Sequence, residues 1–387
     1  MEKLLDILNF IIDAYGWAGI ALTVLTIALF CVQMYRYGIY AGIPKYRLAT
    51  RKKVRSSEPP ISVIITLFSE NADYLDNGLI ELLQQDYDNY EVVVVYVGND
   101  DNFYADLSYL RKGYPHLVTT QIDHSSRYPI STKMALNVGI KAAHNEYLLF
   151  TNTEASPASK HWVSLMAKGF MYGDIVIGHS GIKYEKGAKN RLFRKLRFKE
   201  SIDRLSAVIR RRPYAASRYN FGFTKQLYFE NRGFNHLSMN AGESDLFLQS
   251  ILCNDNASLV ITPRARCIES APRNFKGWLT LLRTERSTHT FYKLSTHNYI
   301  DSEPIVRSAF FAAAVTMIAL LPYELKIFAA ALLFVRYCYA SYTLLRIAAR
   351  LGERRLHIWQ PIFDIAEPIL RLHIHLRQHK HKDNIWG

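Results

Sequence analysis

A chain of 387 residues can bury a full α/β core and still have sequence left over. Its formal charge of +14 suggests anionic partners: lipid headgroups, diphosphates or nucleic acid. Four cysteines, Cys31, Cys253, Cys267 and Cys338, share no C-x-x-C spacing, which argues against a zinc or disulfide framework and fits a reducing compartment.

The first predicted element is a membrane span. Residues 17–35 carry no charge and are about long enough to cross the hydrocarbon core. The run is too long, and too weakly basic ahead of its apolar part, for a signal peptide. "RKKVRSSEPP" (51–60) then reads as a basic, proline-ended linker. "ISVIITLF" (61–68) is a β-branched run expected of a strand covered on both faces. A helix follows in which Leu75, Leu79, Ile80 and Leu83 share one side. "YEVVVVYV" (90–97) is a second buried strand, residues 133–143 a helix, and "EYLLFT" (146–151) a third strand. Trp162, Leu165 and Met166 mark the helix after it.

This alternation predicts a mostly parallel sheet with right-handed crossovers, whose ligands bind beyond the carboxyl ends of the strands. Three loops should therefore line one cleft: Ser69-Glu70-Asn71, Gly98-Asn99-Asp100-Asp101 and Asn152-Thr153-Glu154.

Further along, "RRRP" (210–213) is suited to lipid phosphate or an acidic acceptor, and no nucleic-acid recognition motif accompanies it. Residues 308–321 and 327–345 read as a helical hairpin of spans with a turn at Pro322-Tyr323-Glu324-Leu325. Arg336 interrupts the second of them and leaves open a pair of buried core helices, since an arginine in a span usually faces protein or a water cavity. Residues 362–372 form an amphipathic, interfacial segment. His373, His375, His379 and His381 could suggest a metal site, but such alternation in a basic tail near a membrane is more often a surface helix or frayed end.

Charge predicts orientation. Arg36, Lys45, Arg47, Arg51, Lys52, Lys53 and Arg55 follow the first span, and Arg346, Arg350, Arg354 and Arg355 follow the third. Both flanks are then cytoplasmic, with the N-terminus and the Pro322 turn outside. The expected division is an N-terminal span and linker (1–57), a cytoplasmic α/β domain (58–300), a membrane hairpin (301–350) and a basic amphipathic cytoplasmic tail (351–387).

Several motifs resemble those of the membrane-bound family 2 glycosyltransferases, which have the GT-A fold. "PPISVIITLFSENADYL" and "LLQQDYDNYEVVVV" are of this kind. "STKMALNVGIKAA" resembles the family's G-K-x-x-A-L-N-x-G-I helix, with Lys133 and Asn137 in register. "NRGFNHLSMNAGESDLFLQ" resembles the acceptor-side segment, and "SAPRNFKGWLTLLRTERST" the one that carries Q-x-x-R-W. The likeness implies a GT-A (Rossmann-like) domain with one N-terminal and two C-terminal transmembrane helices. It also implies attack of an acceptor hydroxyl on the anomeric carbon of a nucleotide-diphosphate sugar, with inversion. The acceptor would be a lipid-linked or cell-envelope glycan, beside a membrane with anionic lipids and without nucleic acid.

By that resemblance Glu243 is the base, ahead of Asp245. Ser69, Glu70, Asp100, Lys133, Arg283 and Arg286 would bind the donor, and Glu154 with Asn152 would hold a divalent metal, magnesium or manganese. This chain departs from the pattern at four places. Val97 stands where an aspartate reads the nucleobase, and Asn152-Thr153-Glu154 replaces D-x-D. Ala216-Ser217-Arg218-Tyr219-Asn220 replaces a segment like G-x-G-R-N, and only a small slip brings Arg283 and Arg286 onto Q-x-x-R, which otherwise falls on Leu281 and Thr284.

Blander readings stand beside these. Glu154 could cap a helix beginning near Pro157, Glu243 could be an ordinary first-turn glutamate, and the arginines could form a solvated basic stripe. The alternative function is a catalytically inactive homologue acting as a membrane scaffold or glycan-binding partner.

Overall fold

The computed structural model describes residues 2–48, 59–123, 130–234, 242–253, 255–272, 274–354, 356 and 360–378, and the side chains within them except at 2–15, 286, 371 and 373–378. The chain forms two compact units. One comprises Met1–Pro44, Lys293–Ala348 and Arg354–Leu376; the other is built on Lys45–Tyr292 with Ala349–Glu353.

The chain opens with helix α1 (Glu2–Tyr40), kinked at Gly16, where φ is 68°. In the larger unit, β1 (Ile61–Leu67) and β2 (Tyr90–Val97) are buried along their whole length, as continuous β-branched runs require. Between them a π-helical turn (Tyr74–Leu79) leads into α2 (Ile80–Leu83), burying Leu75, Leu79 and Leu83. Helix α3 (Asp101–Tyr109) and edge strand β3 (Leu117–Ile122) come next.

Helix α4 (Thr132–Ala142) starts at Ser131, whose hydroxyl accepts from the Met134 N–H at 3.2 Å. It presses against the sheet through Gly139: a Cβ there would stand 2.7 Å from Ile64 Cγ2. Then follow β4 (Tyr147–Phe150), β5 (Ala155–Pro157), α5 (Trp162–Phe170), β6 (Ile175–Gly178) and β7 (Ser180–Ile182). The domain continues with α6 (Ala188–Ile209), β8 (Phe221–Thr224), α7 (Lys225–Glu230), α8 (Leu246–Ile251), β9 (Ala257–Val260), β10 (Cys267–Glu269) and α9 (Phe275–Ser287).

Seven strands form one sheet in the order β3-β2-β1-β4-β8-β6-β9. All its pairings are parallel except those of β8, which runs antiparallel to both β4 and β6. The mostly parallel sheet expected from the strand–helix alternation is present, with β8 as its inserted antiparallel strand. A small second sheet, β5-β10-β7, lies just past the end of β4. Its existence corrects one expectation. Residues 155–157 are a strand paired with β10, and α5 begins only at Trp162, so Glu154 caps no helix.

The second unit is helical. Gly16–Tyr40 of α1, α10 (Leu294–Leu320) and α11 (Tyr323–Leu351) are long and apolar enough to cross a membrane. The hairpin helices are longer than their apolar cores suggested, and only Leu321 and Pro322 separate them. Arg336 is fully buried against protein, its Nη1 2.8 Å from Asp364 Oδ2 on α12 (Gln360–Gln378). Helix α12 is amphipathic as expected, and it buries its polar side. Gln360, Asp364 and Glu367 face inward, while Ile362, Ile365, Ile369 and Leu372 are exposed.

Candidate active site

Tyr96 ties the first two strand-end loops together. Its hydroxyl donates to Glu70 Oε1 at 2.6 Å and accepts from the Asp100 N–H at 3.2 Å. The bond from Tyr96 holds the Glu70 carboxyl below its ordinary range. Ser69 and Glu70 remain exposed. Asp100 takes the N-cap of α3, accepting from the N–H groups of Asn102 and Phe103 at 3.0 and 3.1 Å. Val97, where the resemblance would put a base-reading aspartate, is buried at the end of β2.

At the end of β4 the asparagine turns back on its own loop. Asn152 Oδ1 accepts from Thr153 Oγ1 at 3.1 Å and from the Glu154 N–H at 3.2 Å. Glu154 Oε2 accepts from the Tyr219 hydroxyl at 3.2 Å. Asn152 Oδ1 and Glu154 Oε2 are thus engaged by protein donors, which leaves Glu154 Oε1 as the carboxylate oxygen with no donor among the described residues. Among the described residues no three His, Cys, Asp or Glu side chains gather around a common point. The protein's own donor set is one carboxylate and one amide oxygen already bonded within its loop, a poor fit to a magnesium or manganese ion, which would have to draw its remaining ligands from the substrate and water.

The acceptor-side segment builds a second group of charges. Gly242 adopts φ 117°, which a side chain disfavours, and a Cβ there would stand 3.2 Å from Lys133 Nζ. This turn delivers Glu243 and Asp245 into one cavity, beside Arg204, Arg218 and Glu285. Asp245 is firmly held: Oδ2 accepts from Thr288 Oγ1 at 2.5 Å and from the Tyr292 hydroxyl at 2.6 Å, and Oδ1 from the Leu246 N–H. Glu243 is looser. Its Oε1 lies 3.8 Å from Arg218 Nε, and its Oε2 is buried with no hydrogen-bond partner among the described residues.

Burial pushes the Glu243 carboxyl up, and the nearby Arg218 guanidinium and Lys133 ammonium pull it back only in part. Burial lowers Lys133 in turn, against the pull of Glu243 and Asp245. Arg218 also meets a burial penalty, but Glu243, Tyr219, Glu285 and Glu154 hold it above the usual arginine range.

The structure thus brings Lys133, Glu243 and Asp245 together and sets Glu154 beside Tyr219. Helix α9 contributes differently from the arginine pair read from its sequence. Between Arg283 and Arg286, Glu285 is the residue that lines the cavity. Arg283 has a buried Nε with no hydrogen-bond partner among the described residues, and the side chain of Arg286 lies outside them. Glu285 is gripped by Arg197, whose Nη1 and Nη2 donate to its two oxygens at 2.9 and 3.0 Å. Burial would raise this carboxyl, yet Arg197, with Arg204 and Arg218 near it, brings it down to about 2.

Arg204 and Arg218 are the cationic residues of the cavity that spacing alone does not reveal. The signal for Arg218 was available in the departure of residues 216–220 from a glycine-bearing segment. Within that segment Asn220 is structural: its side chain accepts from Trp162 Nε1 and donates to the carbonyls of His179 and Ala265. A separate surface cleft at the opposite end of β4, with Glu146, Asp174 and Glu230 in its walls, contains none of these groups.

Residues 62–228 match the family model of Glycosyl transferase family 2. The chain is also similar in structure to the mannosyltransferase PcManGT from Pyrobaculum calidifontis, solved in complex with GDP-Man and Mn2+. The TM-score is 0.53 at 17% identity, over 86% of this chain and 99% of that one. S. aureus TarS 1-349 in complex with UDP-GlcNAc aligns with a TM-score of 0.43 at 15% identity, over 84% of this chain and 93% of that one. No curated protein matches the chain in sequence. Residues 62–228 thus match a glycosyl transferase family 2 domain, the fold is GT-A, and among the described residues three helices are long and apolar enough to cross a membrane.

Proposed function

We propose that the domain transfers a sugar from a nucleotide-diphosphate sugar to a lipid-linked or cell-envelope glycan, with inversion at the anomeric carbon. The observation that carries this reading is Glu243. It is a buried carboxyl with one unbonded oxygen, raised above its ordinary range, inside a cavity lined by arginines. A general base works best when its pKa approaches the working pH, and burial moves Glu243 in that direction. The acceptor oxygen would attack the anomeric carbon while its proton passes to Glu243. The bond to the diphosphate would break with its electron pair leaving on the phosphate oxygen. Lys133 and the cavity arginines would balance the charge that develops there.

The apolar helices favour an acceptor presented at a membrane, and the excess of basic residues favours anionic lipids around it. The positive-inside pattern orients the domain and the C-terminus to the cytoplasm, with the N-terminus outside. A second reading, an inactive scaffold or glycan-binding partner, draws support from Val97 at the base-reading position and from the engaged Asn152 and Glu154.

The test is donor turnover by the purified full chain in membrane lipids, across a panel of nucleotide-diphosphate sugars. Glu243→Gln should lower turnover by roughly 10²–10⁴-fold with donor affinity almost unchanged. Full turnover in that variant removes Glu243 from the mechanism. Wild-type protein that binds no donor favours the scaffold.

A further inference from the structure

We propose that in this chain the guanidinium of Arg218 takes the part of the divalent cation, neutralising the departing diphosphate directly. The inference rests on the transferase reading above and names the group on which its leaving-group step depends.

Position is the first argument. Arg218 lines the cavity that holds Glu243, with its Nε 3.8 Å from Glu243 Oε1. Its neighbour in sequence, Tyr219, holds Glu154 through the 3.2 Å hydroxyl bond, and the Arg218 guanidinium lies 5.5 Å from the Tyr219 ring centre. The cation thus stands with the base on one side and, one residue along, the strand-end carboxylate on the other. Its side chain is 17% exposed, so it opens to the cavity rather than being sealed in the core.

Charge balance is the second. Two carboxylates and a dication sum to zero. Here Asn152 removes one negative charge, and the arginine of the 216–220 segment stands at 218, one residue ahead of the arginine in the family's pattern, where this chain has Tyr219; Glu154 and Arg218 together sum to zero. A dication placed at Glu154 would compete with the Tyr219 hydroxyl for Oε2 and would meet the field of Arg218, which interacts with Glu154.

Donor chemistry is the third. Arginine carries five N–H donors in a planar fork that matches phosphate oxygens in pairs. Among the described residues Arg218 meets Glu243 through an ion pair at Nε and no side-chain hydrogen bond. Its two terminal nitrogens can therefore donate to the phosphate next to the sugar. As the bond from the anomeric carbon to that phosphate breaks, the electron pair stays on phosphate oxygen and Arg218 keeps its protons. The acceptor proton goes to Glu243.

The experiment uses the full chain in lipid nanodiscs and titrates UDP, GDP, CDP, ADP and dTDP, each in excess EDTA and in manganese. The expected result is binding of at least one diphosphate with nearly equal affinity in both. Arg218→Ala should weaken that binding roughly 10- to 100-fold, the scale of losing charge-assisted hydrogen bonds, and manganese should not restore it. The monophosphate of the same nucleoside should bind the variant as it binds wild type, since a folding defect would weaken both. Arg218→Lys should keep part of the affinity. Diphosphate binding that requires manganese, or that survives Arg218→Ala, overturns the proposal and leaves the transferase reading standing. Wild-type protein that binds no diphosphate in either condition overturns both.

Discussion

The Tyr219 hydroxyl donates to Glu154 Oε2 at 3.2 Å, so the carboxylate at the end of β4 is bound by the residue next to Arg218. Restoring the lost acid by Asn152→Asp should therefore not create a cation site by itself. A guanidinium near the site repels a dication and opposes part of what one added carboxylate would contribute. The combination Asn152→Asp, Arg218→Gly and Tyr219→Phe should bind manganese at least about tenfold more tightly than Asn152→Asp alone. Calorimetry with manganese measures this. Tight binding by the single variant would show that Arg218 does not exclude the ion.

The acid limb of turnover should report Glu243. A base acts only when deprotonated, so activity should rise with pH, with its midpoint above the ordinary glutamate value of about 4.3 because burial raises this carboxyl. Removing a positive neighbour disfavours the carboxylate further. Lys133→Met should move the limb to higher pH, and Arg218→Ala should move it more, as Arg218 is the stronger of the two influences on Glu243. The same logic makes Glu243 more basic when a bound diphosphate draws Arg218 away. A limb that both variants leave in place assigns the pH dependence to another group.

The parts of this fold that were legible share one property: their neighbours in space are neighbours in pattern. β1 and β2 are buried on both faces and read as unbroken β-branched runs, and α4 shows its periodicity and its close glycine. Strands β6, β8 and β9 have four residues each, too few for a period to show, and β8 reverses direction within an otherwise parallel set. Helix α6 is the clearest failure of pattern. Its "LFRKLRFKESIDRL" looks like a solvated basic face, yet Arg194 and Arg197 are buried. Their partners Glu353 and Glu285 lie 159 and 88 residues away in the chain. Lys133 and Glu243 could be singled out from local motifs, whereas which loop brings an arginine to them is decided by long-range pairing.

Glu353 gives that pairing a measurable consequence. It is buried with Oε2 2.8 Å from Arg194 Nη2, and Oε1 3.4 Å from His179 Nε2 and 3.6 Å from Arg266 Nη1. Burial alone would raise its carboxyl, but His179 and Arg194 outweigh it and hold the carboxyl low. A depressed carboxyl contributes stability that is present above its unfolded value and is lost as pH falls through the folded one. Glu353→Ala breaks this buried pair and should cost about 3–5 kcal/mol at neutral pH. The deficit should shrink in acid, where wild type loses the same interaction. Thermal unfolding of both proteins in one detergent over a pH series measures this, and a constant deficit would mean that packing, not charge, holds Glu353.

Orientation rests on the basic flanks. Reporter fusions after Arg55 and after Trp386 should read cytoplasmic, and a fusion at Tyr323, the first residue of α11, should read external. An external reading after Arg55 reverses the topology. Release of the chain from membranes by carbonate wash would remove the membrane assignment altogether.

Asp364 bridges the two buried arginines of the helical unit, accepting from Arg307 Nη1 at 3.1 Å and from Arg336 Nη1 at 2.8 Å. Both arginines are fully buried, and Arg307 has a second partner in Glu367 while Arg336 has Gln33. This explains how α12 can expose Ile362, Ile365, Ile369 and Leu372: its polar side is the one with partners inside. Asp364→Ala should then cost about 3–5 kcal/mol, because it strands positive charge where water does not reach. Arg336 would keep the amide of Gln33 and the rings around it but no carboxylate among the described residues, whereas Arg307 would still hold Glu303 and Glu367. Removing Arg336 as well should therefore recover much of the loss, with Asp364→Leu and Arg336→Met together less destabilised than the two single effects added. The interaction energy of that cycle should fall in the range of about 0.5–3 kcal/mol typical of contacting residues. Unfolding midpoints of the four proteins in the same detergent give it directly. Additive effects would mean that Asp364 stabilises α12 by some route other than its bond to Arg336.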